Sequence, residues 1–195
     1  MKQFISIIIL LLFVNCKRTF ESNKIAEESN KELAAKECLF PGAFLGIYKG
    51  DLINTSNNSV EIIPMEFHLL ATSDSLRYDY KIYYGAERSE RAYTLIQTEN
   101  PHIYKLDENN GIVIPVAYSK NTLFSTYEVA GSLLNNSEVF YKDRMDFMIT
   151  MSVLENKEET GESGGYKVSS YPIYVIQQAT LIKVKKQQHN TAIHN

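Results

Sequence analysis

Period-two alternation of apolar and polar residues is the feature that most constrains this chain. From Met145 to Val153, Met145, Phe147, Ile149, Met151 and Val153 share one face, against Asp146, Met148, Thr150 and Ser152. From Arg77 to Tyr84, Tyr78, Tyr80, Ile82 and Tyr84 oppose Arg77, Asp79, Lys81 and Tyr83. Successive side chains of a strand point to opposite sides, so alternation held this long predicts strands with one buried face. The same texture of short apolar runs punctuated by Asn, Ser, Asp and Gly starts at Ala43 and carries all thirteen tyrosines. It predicts strands near 43–52, 59–70, 77–84, 91–97, 102–106, 112–118, 122–130, 137–141, 145–154 and 171–184.

The links between these segments are short. Asn57-Asn58-Ser59 and Ser119-Lys120-Asn121 read as tight turns, and Asp107–Gly111 ends in Asn-Gly, a strong hairpin signal because both residues tolerate positive φ. The run Asn156–Gly165 is acidic and glycine-bearing and reads as a long mobile loop. The expected class is therefore all-β: an antiparallel meander of about eight to ten strands, closed as a barrel to remove exposed edges. A two-sheet β-sandwich is the alternative.

The start of the chain has a different character. Met1-Lys2-Gln3 precedes an apolar run, Phe4–Val14, interrupted by Ser6. A positive start and an apolar run of this length have the layout of a secretory signal. As a helix the run falls short of the ~20 residues that span a bilayer. It ends in Leu12-Phe13-Val14-Asn15-Cys16, which resembles the lipobox of bacterial lipoproteins, with Asn15 where a smaller residue is usual. That resemblance implies cleavage before Cys16, lipid on its thiol and attachment to a membrane through two or three acyl chains. No acidic run follows Cys16, since Lys17, Arg18 and Thr19 come next. The expected location is the cell envelope, at the outer membrane and facing the periplasm.

The resulting organisation is a signal peptide over 1–15, a lipidated cysteine and flexible tether over 16–42, a barrel domain over 43–184 and a disordered tail over 185–195. A short helix is expected within the tether, around 25–36. The formal net charge of −3 becomes one unit more negative when Lys2 leaves with the signal. Such a balance offers no clustered basic surface for nucleic acid. Of two cysteines, lipid on Cys16 would leave Cys38 a lone thiol.

The first barrel strand carries Gly46-Ile47-Tyr48-Lys49-Gly50. This is similar to the start of lipocalins and their calycin relatives, where a glycine, a spacer and a large aromatic open the barrel. The resemblance implies that Tyr48 closes the barrel base beneath a basic residue of the last strand, here Lys183. Tryptophan is usual in the aromatic position, and this chain has none. The stretches Tyr104–Ile112 and Leu123–Val129 also resemble small uncharacterised bacterial lipoproteins, which implies no activity.

Candidate chemistry is sparse. Gly161-Glu162-Ser163-Gly164-Gly165 matches G-x-S-x-G, but a nucleophile elbow needs a strand before it and a helix after it. His68 alternates with Glu66, a pair suited to a metal or to proton transfer, though more often a solvated strand face. His189 and His194 lie in the polar tail, and no Cys/His group has zinc-site spacing. Arg77, Arg91, Tyr80, Tyr83 and Tyr93, with His68, are the candidates to line a barrel mouth, with tyrosines stacking and arginines forking onto an anionic or amphipathic ligand. The ordinary reading of the arginines is pairing with Glu87 or Glu90 on a surface hairpin. The function expected is a lipid-anchored binder of a small apolar or amphipathic molecule, without enzymatic activity, metal or cofactor. The alternative is an envelope interaction protein with Phe67, Tyr80, Phe147 and Met151 filling the core. A wide lumen with converging polar groups favours the first, and a filled core with an apolar exterior patch favours the second.

Overall fold

The structure, a computed structural model, describes residues 40–185. The signal segment, Cys16, the helix expected at 25–36, Cys38, His189 and His194 lie outside the described residues.

The described chain is all-β. Ten antiparallel strands form one closed barrel: β1 Gly46–Ser56, β2 Ser59–Ala71, β3 Arg77–Tyr84, β4 Ser89–Gln97, β5 Ile103–Asp107, β6 Val113–Ser119, β7 Thr122–Val129, β8 Ser132–Phe140 and β9 Arg144–Val153, closed by the last strand. A separate ribbon, β10 Glu158–Ser163 with β11 Tyr166–Ser170, interrupts the meander before β12 Ile173–Lys183. β12 inserts between β9 and β1 and seals the sheet. Closure excludes the sandwich.

Alternation sets the inner face. Tyr48 and Leu52 on β1, Met65, Phe67 and Leu69 on β2, and Met145 and Phe147 on β9 are all buried. The lower half of the lumen is packed solid by aromatic side chains. Phe40 stacks on Tyr118 at 4.5 Å between ring centroids and meets Tyr104 edge-on at 5.3 Å. A single 3-10 turn, Gly42–Phe44, brings Phe44 against Phe140. Phe40 and Phe44 thus form the floor, so the barrel's packing begins before residue 43 and the flexible tether does not extend to 42. Their burial supplies about 1.5–3 kcal/mol each.

Local conformation explains where the sequence reading and the structure part. Lys120-Asn121 and Ala130-Gly131 each take two successive positive φ values and make two-residue hairpins. Paired positive φ matches the strand twist. Ala130 carries no turn signal in sequence, so β7 was expected to end a residue later and β8 to begin at 137 rather than Ser132. In the β5–β6 loop the positive φ values fall on Asn109 and Gly111, not on the Asn110-Gly111 pair. The segment 156–165, expected as a mobile loop, instead contains β10 and the Gly164-Gly165 turn of a hairpin, its strand faces exposed throughout β10. A ribbon with no buried face leaves no alternation to read.

Gly50 is required by close approach. A Cβ there would stand 2.7 Å from the Thr180 backbone oxygen on the neighbouring strand.

Candidate functional site

The turns after β2, β4, β6 and β8 gather at the floor, and the hairpins β1–β2, β3–β4, β5–β6 and β7–β8 rim the opposite, upper end. The wall is uneven. β5 is short and pairs with β4 only along Thr94–Gln97, leaving the start of β4 without a ladder on that side. β6 and β7 pair only over Ala117–Ser119 and Thr122–Phe124, next to their turn. Above those residues the two strands are not laddered, and the upper lumen is walled least there.

Beneath this opening lies a cavity of about 70 Å³ whose lining includes Tyr80, Tyr84, Tyr93, Tyr127 and Asn136 among apolar residues such as Leu106 and Ile114. Tyr80 and Tyr93 are paired across β3 and β4, their rings 5.9 Å apart. The hydroxyls of Tyr84, Tyr93 and Tyr127 make no hydrogen bond to a described residue. Burial raises all three phenols above their ordinary range, so they are neutral donors and acceptors at physiological pH.

Behind Tyr80 and Asn136 sits Glu138, only 3% exposed. Tyr80 Oη donates to its Oε1 at 2.9 Å and Asn136 Nδ2 donates to the same oxygen at 2.7 Å. Burial pushes this carboxyl up to about 7, against the opposing pull of those two hydrogen bonds. No described Lys or Arg is ion-paired to it. Asn136 Oδ1 is buried and has no hydrogen-bond partner among the described residues.

The candidates from sequence divide between two places. Tyr80, Tyr93 and Arg91 are on the inner face: Arg91 pairs opposite the buried Ile82 and stands exposed near the mouth. Arg77, Tyr83 and His68 are on the outer face, so the six do not make one mouth. His68 Nε2 lies 3.0 Å from Glu66 Oε2, and its ring packs 4.8 Å from that of Tyr83. Glu66 also binds Lys49 at 2.8 Å and pairs with Arg88, whose guanidinium covers the Tyr83 ring. Burial pushes Glu66 up, but hydrogen bonds from Lys49, Arg88 and His68 outweigh it and hold the carboxyl at about 2. This is a satisfied ion-pair network on the barrel wall. No group of three or more His, Cys, Asp or Glu side chains suited to a metal occurs among the described residues.

At the floor, Gly46, Tyr48 and Lys183 come together. Tyr48 pairs with Lys183 across β1 and β12, and Lys183 Nζ stands 5.5 Å from the Tyr48 ring centroid. A Cβ on Gly46 would fall 2.6 Å from Lys183 Cε, so the glycine leaves room for the lysine stem. Tyr48 Oη donates to the Phe44 carbonyl oxygen. The Tyr48 phenol is pushed up to about 12 by burial, and Lys183 is lowered by the same cause. Ser163 of the G-x-S-x-G match lies at the end of β10 and leads into a hairpin rather than a helix, so the elbow context is absent.

Neither Asn136 nor Glu138 stood out in the sequence. Their signal was the alternation Leu134, Asn136, Glu138, Phe140, in which polar residues occupy inward positions.

No protein-family profile and no curated protein matches this chain. Among solved structures it is similar to a DUF3598-family protein of unknown function from Nostoc punctiforme, with a TM-score of 0.52 at 13% identity. The match covers 73% of this chain and 48% of the other, so the chain spans about half that protein's length. At this identity the likeness is one of fold: a ten-stranded antiparallel closed barrel.

Proposed function

We propose that this barrel is a small-molecule-binding module of the bacterial envelope, held to a membrane through lipid on Cys16, with its ligand in the upper lumen. One observation carries the reading: Tyr80, Tyr84, Tyr93, Tyr127 and Asn136 line a cavity above a solid floor, and the buried Glu138 lies behind it, hydrogen-bonded to Tyr80 and Asn136. Polar groups placed among aromatic walls are what a binding site needs, since the rings supply contact area and the polar atoms fix orientation. The cavity of about 70 Å³ is well below the ~300 Å³ at which drug-sized sites begin. The ligand is therefore small, or is an amphipathic molecule that inserts only its head. Nothing in the site supplies a nucleophile with a base, so the reading includes no reaction.

Native mass spectrometry of the purified chain tests this. A co-purifying small molecule, lost on denaturation, is the expected result. A clean apo mass followed by no binding in a metabolite and lipid screen would overturn it. The anchor is tested separately: Cys16→Ser should move the protein from the membrane to the soluble fraction and abolish palmitate incorporation.

A second reading is an interaction protein without a ligand. It is favoured by a groove on the exterior across β8, β9, β12 and β1, where Ile53, Met148 and Ile182 are exposed among polar neighbours. Such patches mark partner surfaces when they are continuous. Recovery of a specific envelope protein that Met148→Asp abolishes, with an apo lumen, would decide for it.

A further inference from the structure

The upper lumen contains acceptors, and none of the described Lys or Arg side chains is ion-paired to them. Asn136 lines the cavity, and its buried Oδ1 lacks a donor. Glu138 has both of its described hydrogen bonds on Oε1, leaving Oε2 without one. Two basic side chains face the lumen, and neither is ion-paired to Glu138. Lys183 is on the floor against Tyr48. Arg91 is exposed at the mouth, where Glu108 also lines the opening. Around the acceptors stand the rings of Tyr80, Tyr84, Tyr93 and Tyr127.

We propose that the upper lumen takes a small organic cation, a protonated amine whose N–H groups bind Asn136 Oδ1 and the Glu138 carboxylate while the four tyrosine rings surround it. The proposal rests on the lumen being a binding site and names the ligand class. Three physical arguments select it. A cation is attracted to aromatic faces, most strongly where water is excluded. A buried carboxylate without a cationic partner is costly, and an ammonium supplies that partner. An N–H donor satisfies the orphaned Oδ1, as an apolar ligand cannot. An anion would instead be brought beside Glu138 and an acceptor oxygen. The size of the cavity limits the buried part of the ligand to an amine head and a short chain.

Three probes of near-equal size separate the classes: n-butylammonium, 1-butanol and butyrate. Each is titrated into the full chain while the tyrosine ring resonances are followed by NMR. Butylammonium should shift the Tyr84, Tyr93 and Tyr127 signals and bind about tenfold or more tighter than 1-butanol, a difference of ~1.4 kcal/mol. Butyrate should bind more weakly than either. Glu138→Gln should erase the preference for the amine over the alcohol. If 1-butanol binds as tightly as the amine in the wild-type chain and shifts the same rings, the cation proposal is overturned and the lumen reading stands. If none of the three shifts those rings, the cation proposal is overturned and the lumen reading loses its support as well. The ranking of probes on the wild-type chain decides the matter even if the Gln variant does not fold.

Discussion

Glu138→Gln should change how stability depends on pH, and its size follows from the burial of one carboxyl. An ordinary glutamate releases its proton near 4.5, whereas in the fold Glu138 holds it to about 7. At ~1.4 kcal/mol per pH unit, ionising this group costs the folded state about 3 kcal/mol. The sign is set by proton counting. Between about 4.5 and about 7 the folded protein holds a proton that the unfolded chain has released. Stability therefore falls as pH rises through that window, and the loss is complete above it. Glutamine is neutral throughout and keeps an oxygen to accept from Tyr80 and Asn136. A new amide donor left without a partner lowers stability by ~1–3 kcal/mol at every pH. That offset is constant, so the slope is what tests the reasoning. Urea denaturation of both proteins at pH 5, 6, 7 and 8 should show the variant gaining about 2–3 kcal/mol on the wild type between the extremes, the first part of the loss lying below pH 5. Groups common to both proteins cancel in the difference. A difference that stays flat from pH 5 to pH 8 would refute the claim that a buried, unpaired carboxyl sits at this position.

Three further outcomes test other parts of the fold. Phe40→Ala should cost about 3 kcal/mol in urea denaturation, because it removes the ring that contacts Phe44, Tyr104, Tyr118 and Phe140 in the floor; an unchanged midpoint would mean that residues before β1 are not part of the barrel. Gly50→Ala should destabilise by about 1–3 kcal/mol, since its Cβ meets backbone rather than a yielding side chain; a neutral result would show that β1 and β12 can move apart there. Glu66→Gln should act in the opposite pH direction from Glu138→Gln: the folded carboxyl is held at about 2, so its contribution is present above about 4.5 and is lost as pH falls towards 2. The size is on the order of 1 kcal/mol, because Lys49 and Arg88 are half exposed and solvent screens them. A gap between wild type and variant that does not narrow in acid would refute that account.

The strands were legible because burial on one side imposes a period on the sequence. Tyr78, Tyr80, Ile82 and Tyr84 alternate with polar residues, and the structure pairs β3 over 77–84. Where no face is buried the period vanishes, and β10 was invisible for that reason. The site was harder to read. Tyr80 and Tyr93 were picked out as aromatic residues near arginines, but so were Tyr83 and His68, which face outward. One strand position reverses the face a side chain presents, so a cluster in sequence becomes two clusters in space. Glu138 was missed because an acidic residue on a strand ordinarily faces water, and its hydrogen-bond partner Tyr80 lies 58 residues away. Inward placement depends on register set across the barrel, which no local pattern reports.

That placement is also the strongest argument about what the barrel is for. A floor of packed rings already closes one end, and the lower core needs no polar group to complete it. Apolar residues at 136 and 138 would continue the same packing upward and would remove the cost of a buried carboxyl and an orphaned amide oxygen. Chain closure, register and turn geometry would be unaffected, since none depends on those two side chains. The chain instead carries Asn136 and Glu138 beneath its least-walled opening, beside Tyr84, Tyr93 and Tyr127, whose hydroxyls bond to no described neighbour. Groups that lower stability and lie together at the one open end of the lumen are spent on something other than folding. In the proposed binding role these acceptors, set behind the rings, would receive a ligand that enters donor first.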